Sequence, residues 1–108
     1  KLGFDVLLAE AKDSKCYDTV VISKAADAML AMSGIEASFV LAKNTQGFIS
    51  ISARSRSKLN VQRIMEELGG GGHFNLAAAQ IKDLTLSEAG EKLTEIVLNE
   101  IKEKEKEE

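Results

Sequence analysis

Cysteine and histidine occur once each in this chain of 108 residues, as Cys16 and His73. A single cysteine excludes an internal disulfide and fits a reducing compartment. The two residues lie far apart, no HExxH or CxxC spacing occurs, and no familiar metal-binding or nucleophile–base grouping can be assembled. Positive charge is not in excess either. The 14 lysines and arginines stand against 17 aspartates and glutamates, a formal net of -3, which argues against a protein that coats nucleic acid through a bulk positive field. Any anion site has to be local. No apolar run reaches the ~18 residues of a membrane span, and no signal-peptide pattern opens the chain. It begins at Lys1 rather than methionine, as expected of a domain taken from a longer protein. What is plentiful is apolar side chain: 44% of the residues are hydrophobic, enough for the single core of one domain.

Four consecutive glycines followed by the lone histidine, Gly69-Gly70-Gly71-Gly72-His73, stand out against this background. Each glycine costs roughly 1 kcal/mol relative to alanine in an ordered segment, so such a run points to main chain approaching something closely. Successive N–H groups turned one way make a concave anion site, and an imidazole at its edge can donate to a phosphate oxygen. The plainer alternative is a flexible linker with a surface histidine. The flanking sequence decides between them.

In chain order, Phe4 to Ala11 is a short apolar run that predicts a buried strand, with a helix as the alternative. From about Asp18, Ile22, Ala25, Ala26, Met29 and Leu30 share one helical face, and Gly34 is placed for a left-handed C-cap. Met29 and Met32 are expected to fill core rather than bind a metal. Ile35–Ala42 and Gly47–Arg54 predict two strands of a hairpin joined by Lys43 to Gln46. Period-two alternation puts Ile49, Ile51 and Ala53 on one face and Ser50, Ser52 and Arg54 on the other. Ser55-Arg56-Ser57-Lys58 then adds cations and hydroxyls, which on its own reads as a solvated loop.

Asn60 is a strong N-cap type, and Val61, Ile64, Met65 and Leu68 predict a helix that stops at Gly69. The first glycine of the run thus has a structural reason and the other three do not. A helix of about eight residues is only ~12 Å long, so Arg54 to Asn60 before it and Gly70 to His73 after it are expected to be neighbours. Glu66 and Glu67 adjoin the glycines, but consecutive residues point in different directions on a helix and make no acid/base pair. A strand is expected at about Ala78 to Ile81. Thr85-Leu86-Ser87-Glu88 reads as a capping box opening a last helix, whose residues 102 to 108 are charged on every face and read as a frayed, solvated end. The residues therefore predict β-α-β-β-α-β-α: a single α/β domain with a mixed sheet of about four to five strands flanked by about three helices. A phosphate pocket is expected from Arg54 through His73.

Ser52-Ala53-Arg54-Ser55, then Asn60-Val61, then Gly69-Gly70-Gly71-Gly72-His73 with Ala77-Ala78 resemble the DHH-associated C-terminal domain of the DHH phosphoesterases. Ile35 to Leu41 and Ser23-Lys24-Ala25-Ala26-Asp27 resemble the GdpP/YybT branch, the bacterial cyclic-di-AMP phosphodiesterases. Three residues, Phe74-Asn75-Leu76, separate His73 from Ala77-Ala78, and Ala79 stands where RecJ-like and oligoribonuclease members have a glycine, a departure that favours this branch. The resemblance covers nearly the whole chain to about Leu98. It makes residues 1–101 a substrate-binding domain and 102–108 a charged tail.

The resemblance implies that Gly70, Gly71, Gly72 and His73 bind the phosphate, that Arg54, Ser55 and Asn60 belong to the same site, and that His73 stabilises charge at the scissile phosphate. It also implies an upstream DHH domain holding two manganese ions through Asp and His ligands. These activate water for hydrolysis of cyclic-di-AMP to linear pApA. The Asp-His-His signature is absent from this sequence, so no cofactor is expected on this chain and the chain alone is expected to be inactive. The implied partners are a cyclic dinucleotide or short oligonucleotide, the DHH domain and a second copy in a homodimer. The domain is expected in the cytoplasm of a membrane-anchored parent with PAS-like and degenerate GGDEF regions. Two rivals stay open: the substrate domain of a RecJ-like nuclease or oligoribonuclease, which should show a longer basic track, and a non-enzymatic module like the one appended to alanyl-tRNA synthetases.

Overall fold

The computed structural model describes residues 5–12 and 14–107; Phe4, Asp13 and Glu108 lie outside the described residues. The elements run β1 (Val6–Glu10), β2 (Cys16–Tyr17), α1 (Thr19–Leu30), β3 (Ala37–Asn44), β4 (Ile49–Ser55), α2 (Val61–Glu66), β5 (Gly71–Gly72), β6 (Leu76–Ile81) and α3 (Leu86–Glu107). One mixed sheet has the order β1-β3-β4-β6-β5, with β2 also pairing with β3. β1 is parallel to β3, while β4, β6 and β5 follow antiparallel. The expected α/β domain with three helices is present. The sequence reading lacked two strands of two residues each, β2 and β5, too short to leave a periodic signal.

Alternation along the central strands divides the core between two faces. Phe39, Leu41, Ile49, Ile51 and Ala53 point toward α2 and α3 and meet Ile64, Met65, Leu93 and Val97. Burying such side chains contributes roughly 1.5–3 kcal/mol each, and Phe39, Leu41, Ile64 and Met65 are fully buried. On the opposite face Val40 and Ala42 of β3 pack beneath Ile22 and Ala26 of α1, and Ser38 Oγ donates to Ala26 O at 2.7 Å. α1 packs on β3 and β4, while Leu76, Ala78 and Gln80 of β6 on that same face remain exposed. A trough is left along the edge of α1.

Asp18 caps α1 by accepting from Val20 N at 2.8 Å, and Thr85 and Glu88 exchange the reciprocal bonds of a capping box at 2.9 and 3.1 Å. Two expectations are corrected. α1 ends at Leu30 with Ala31 still right-handed, and Gly34, at φ 82, serves the turn beyond rather than the cap. Met32 is exposed at 54% because the helix has already ended there and no longer presents it to the sheet; Met29 does pack against the α1 cluster. α3 runs unbroken through the charged stretch to Glu107, with Ile101 buried at 3%.

Candidate functional site

The glycine run is shaped by what lies on either side of it. α2 closes in a Schellman motif: Gly69 N donates to Glu66 O at 3.1 Å and Gly70 N to Met65 O at 2.8 Å, with Gly69 at φ 84. The chain then pairs with β6 through Gly71–Ala78 and Gly72–Ala77. A Cβ on Gly70 would lie 2.1 Å from Ala78 O, and one on Gly72 2.5 Å from Ala77 Cα. Close main-chain approach, expected toward a ligand, is therefore first of all approach to β6. This corrects the view that only Gly69 has a structural reason. Of Gly70, Gly71 and Gly72, only Gly71 could take a Cβ with nothing within 4 Å of it.

His73 closes the hairpin. Its N–H donates to Leu76 O at 2.7 Å and Leu76 N returns a bond to His73 O at 3.3 Å, with Phe74-Asn75 as the turn. Because 73–76 is a hydrogen-bonded pair, ladder alternation makes 72–77 the non-bonded pair and turns the Gly72 amide to the open sheet edge. The amides of Gly69, Gly70 and His73 are thus engaged inside the domain, and the Gly72 amide beside the exposed His73 side chain is the one this ladder leaves facing outward.

Register carries Arg54 to the same face. Ser38 opposes Arg54, Arg54 opposes Leu76, and Leu76 opposes His73, and residues directly opposite share a face. Arg54 and His73 are therefore in one row, two strand spacings or about 10 Å apart, with Leu76 between them. Arg54 sits in the trough beside α1, a groove of about 530 Å³ lined by Val20, Ser23, Asp27, Ser52, Leu76 and Ala78. A smaller space of about 250 Å³ continues past Ser50 and Gln80 to Gly70. The Arg54 side chain is 7% exposed and its guanidinium is already anchored: Nε donates to Asp27 Oδ1 at 2.6 Å, Nη1 to Ala53 O at 2.9 Å and Nη2 to Ser23 Oγ. These bonds use three of its five N–H groups.

Ser55 and Asn60 are placed differently. Ser55 Oγ donates to Phe74 O at 3.1 Å, and Asn60 caps α2 by accepting from Arg63 N at 3.2 Å. Asn60 lines a separate space of about 180 Å³ with Arg63, Phe74 and Glu100, not the groove. The structure thus brings Arg54, Gly70 and His73 to one sheet face and its edge, while Ser55 and Asn60 hold the loops around them. Asp27 and Ser23, which orient Arg54, were missed as site residues; their i,i+4 spacing on one face of α1 was the available signal. Asn75 was missed as well, and a turn asparagine gives little signal beyond the turn itself. Among the described residues no group of three or more His, Cys, Asp or Glu could hold a metal ion.

The family described as DHHA1 domain matches residues 5–105. The cyclic-di-AMP phosphodiesterase GdpP of Geobacillus thermodenitrificans is 46% identical over 92 residues, covering 85% of this chain and 14% of that protein. The cyclic-di-AMP phosphodiesterase PdeA of Listeria monocytogenes is 48% identical over 86 residues, covering 80% of this chain and 13% of its own length. The chain thus spans about one seventh of these relatives. Among solved structures, an exopolyphosphatase-related protein from Bacteroides fragilis superposes with a TM-score of 0.56 at 28% identity, over 68% of this chain and 21% of that one.

Proposed function

The chain belongs to the DHHA1 domain family, and from that premise we propose that it is the substrate-binding domain of a cyclic-di-AMP phosphodiesterase that yields linear pApA. The observation that carries this reading is the cross-strand row that sets Arg54 and His73 on one face beside a groove of about 530 Å³. In this reading the outward amide of Gly72 and the His73 imidazole take a phosphate at the sheet edge. The nucleoside lies along the groove toward Ser52 and Arg54. His73 donates to the phosphoryl oxygen on which charge grows as the ester breaks, and a donor already in place needs no reorganisation at that moment. Arg54, held by Asp27 and Ser23, supplies a fixed positive charge whose direction does not depend on the ligand.

The metal ions, which would activate the attacking water, belong in this reading to a DHH domain elsewhere in the parent protein. A membrane anchor for that parent and a homodimer are parts of the same proposal; among the described residues no helix is long and apolar enough to cross a membrane. The names of the GdpP and PdeA relatives favour the cyclic dinucleotide, and the net charge of -3 favours it over a long nucleic-acid strand, which needs an extended basic track.

Cyclic-di-AMP incubated with manganese and either the purified chain or the full-length parent tests the proposal. Turnover to pApA by the parent and none by the chain is the expected result. Turnover by the chain alone, or a parent that leaves cyclic-di-AMP intact, contradicts it.

A further inference from the structure

The turn that carries His73 is gripped by the end of β4. Asn75 Nδ2 lies 2.7 Å from Arg56 O, 3.2 Å from Ser55 O and 3.4 Å from Ser55 Oγ. In return Ser55 N donates to Asn75 O at 3.0 Å and Ser55 Oγ to Phe74 O at 3.1 Å, and Val61 N reaches the same Phe74 oxygen at 3.0 Å. A two-residue turn needs none of these bonds to close, because the 73–76 pair closes it. The β4–β6 ladder, which ends at Arg54–Leu76, sets the row; what the cross-links add is the orientation of the 73–76 turn beyond it, and with it the placement of His73 relative to Arg54.

The strand end being gripped is itself held. Arg56 N donates to Glu36 O at 2.9 Å, and its side chain donates to Ile35 O at 2.7 Å and Leu30 O at 2.5 Å. Glu36 Oε2 accepts the successive amides of Ser57, Lys58 and Leu59 at 3.3, 2.7 and 3.0 Å. The hairpin is therefore bolted to a fixed platform at Ser55–Arg56, and Asn75 is the side chain on the hairpin that makes the connection. A carboxamide suits the place because its NH₂ can serve two carbonyls at once, whereas an aspartate of the same shape would set oxygen against oxygen.

We propose that Asn75 is a positioning residue that sets His73 relative to Arg54 by clamping the β5–β6 turn to the end of β4. It acts through His73 rather than by touching substrate. The proposal rests on the reading of His73 as a phosphate donor. A displacement of about 1 Å at a reacting group can lower rate by about 100-fold, so loss of the clamp should register in catalysis even where the fold survives.

The test is a double-mutant cycle in the full-length parent, with kcat and KM for cyclic-di-AMP and the thermal midpoint measured for Asn75→Asp, His73→Ala and the pair. Asn75→Asp is expected to lower kcat/KM roughly 10- to 100-fold, mostly through kcat, and the double variant should be no worse than His73→Ala alone. Multiplying losses in the double variant would show that Asn75 acts independently of His73 and overturn the proposal. Wild-type kinetics for Asn75→Asp beside a crippled His73→Ala would overturn it while leaving the reading of His73 intact. Unaltered kinetics in His73→Ala would remove that reading and the proposal with it. Should Asn75→Asp fail to fold, Ser55→Ala, which removes the Oγ links to Phe74 O and to Asn75 Nδ2, enters the same cycle with the same criterion.

Discussion

Alanine at position 70 would set its Cβ 2.1 Å from Ala78 O and 2.7 Å from Ala79 Cα, whereas alanine at position 71 would meet nothing within 4 Å. Two neighbouring glycines thus serve different ends. Overpacking against main chain costs about 1–3 kcal/mol and sometimes more, and here relief requires β5 to separate from β6. Gly70→Ala is therefore expected to lower stability by about 2 kcal/mol or more, and Gly71→Ala by less than about 1 kcal/mol, in urea denaturation of the chain. Equal losses would show that the hairpin does not depend on close approach at Gly70. Arg54 makes a related point. Its charge is buried and paired with an Asp27 carboxylate that is itself 61% exposed, so the pair's value lies more in fixing the guanidinium than in net stabilisation.

Among the elements, α2 has only six residues, Val61–Glu66, too few to hold themselves as a helix without packing and caps. Asn60 supplies the N-terminal cap and the Schellman glycine the other end. Asn60→Ala is expected to cost about 1 kcal/mol, read as a shift in the denaturation midpoint with an unchanged slope; no shift would free Asn60 for the ligand role that its sequence context implies. The elements that were legible beforehand are those with strong local signals: the period of α1, α2 and α3, the alternation of β4, and the caps at Asn60 and Thr85. β5 was not legible, because two glycines carry no strand propensity and pair only where β6 lies alongside. The site divides in the same way. Gly70, His73 and Arg54 could be singled out by residue type, but the Asp27–Arg54 pair joins residues 27 positions apart, and the Asn75 clamp joins residues 19 and 20 apart. Only the fold brings such partners together.

For the molecule as a whole, α1 covers β3 and β4 and leaves β6 open, so the groove is a consequence of a helix narrower than the sheet it packs on. The same architecture turns its other face into a closed core under α2 and α3. The open groove thus lies on one side of the sheet, with Arg54 in it and His73 at the sheet edge in the same cross-strand row. In the proposed reading the Gly72 amide, His73 and Arg54 hold the phosphate, and the metal ions belong to another domain of the parent protein. The most direct measurement is kcat/KM for cyclic-di-AMP hydrolysis by the full-length parent carrying His73→Ala. A fall of about 100-fold, on the order of 3 kcal/mol of lost transition-state stabilisation, is the predicted result, and kinetics equal to the wild type would contradict the account.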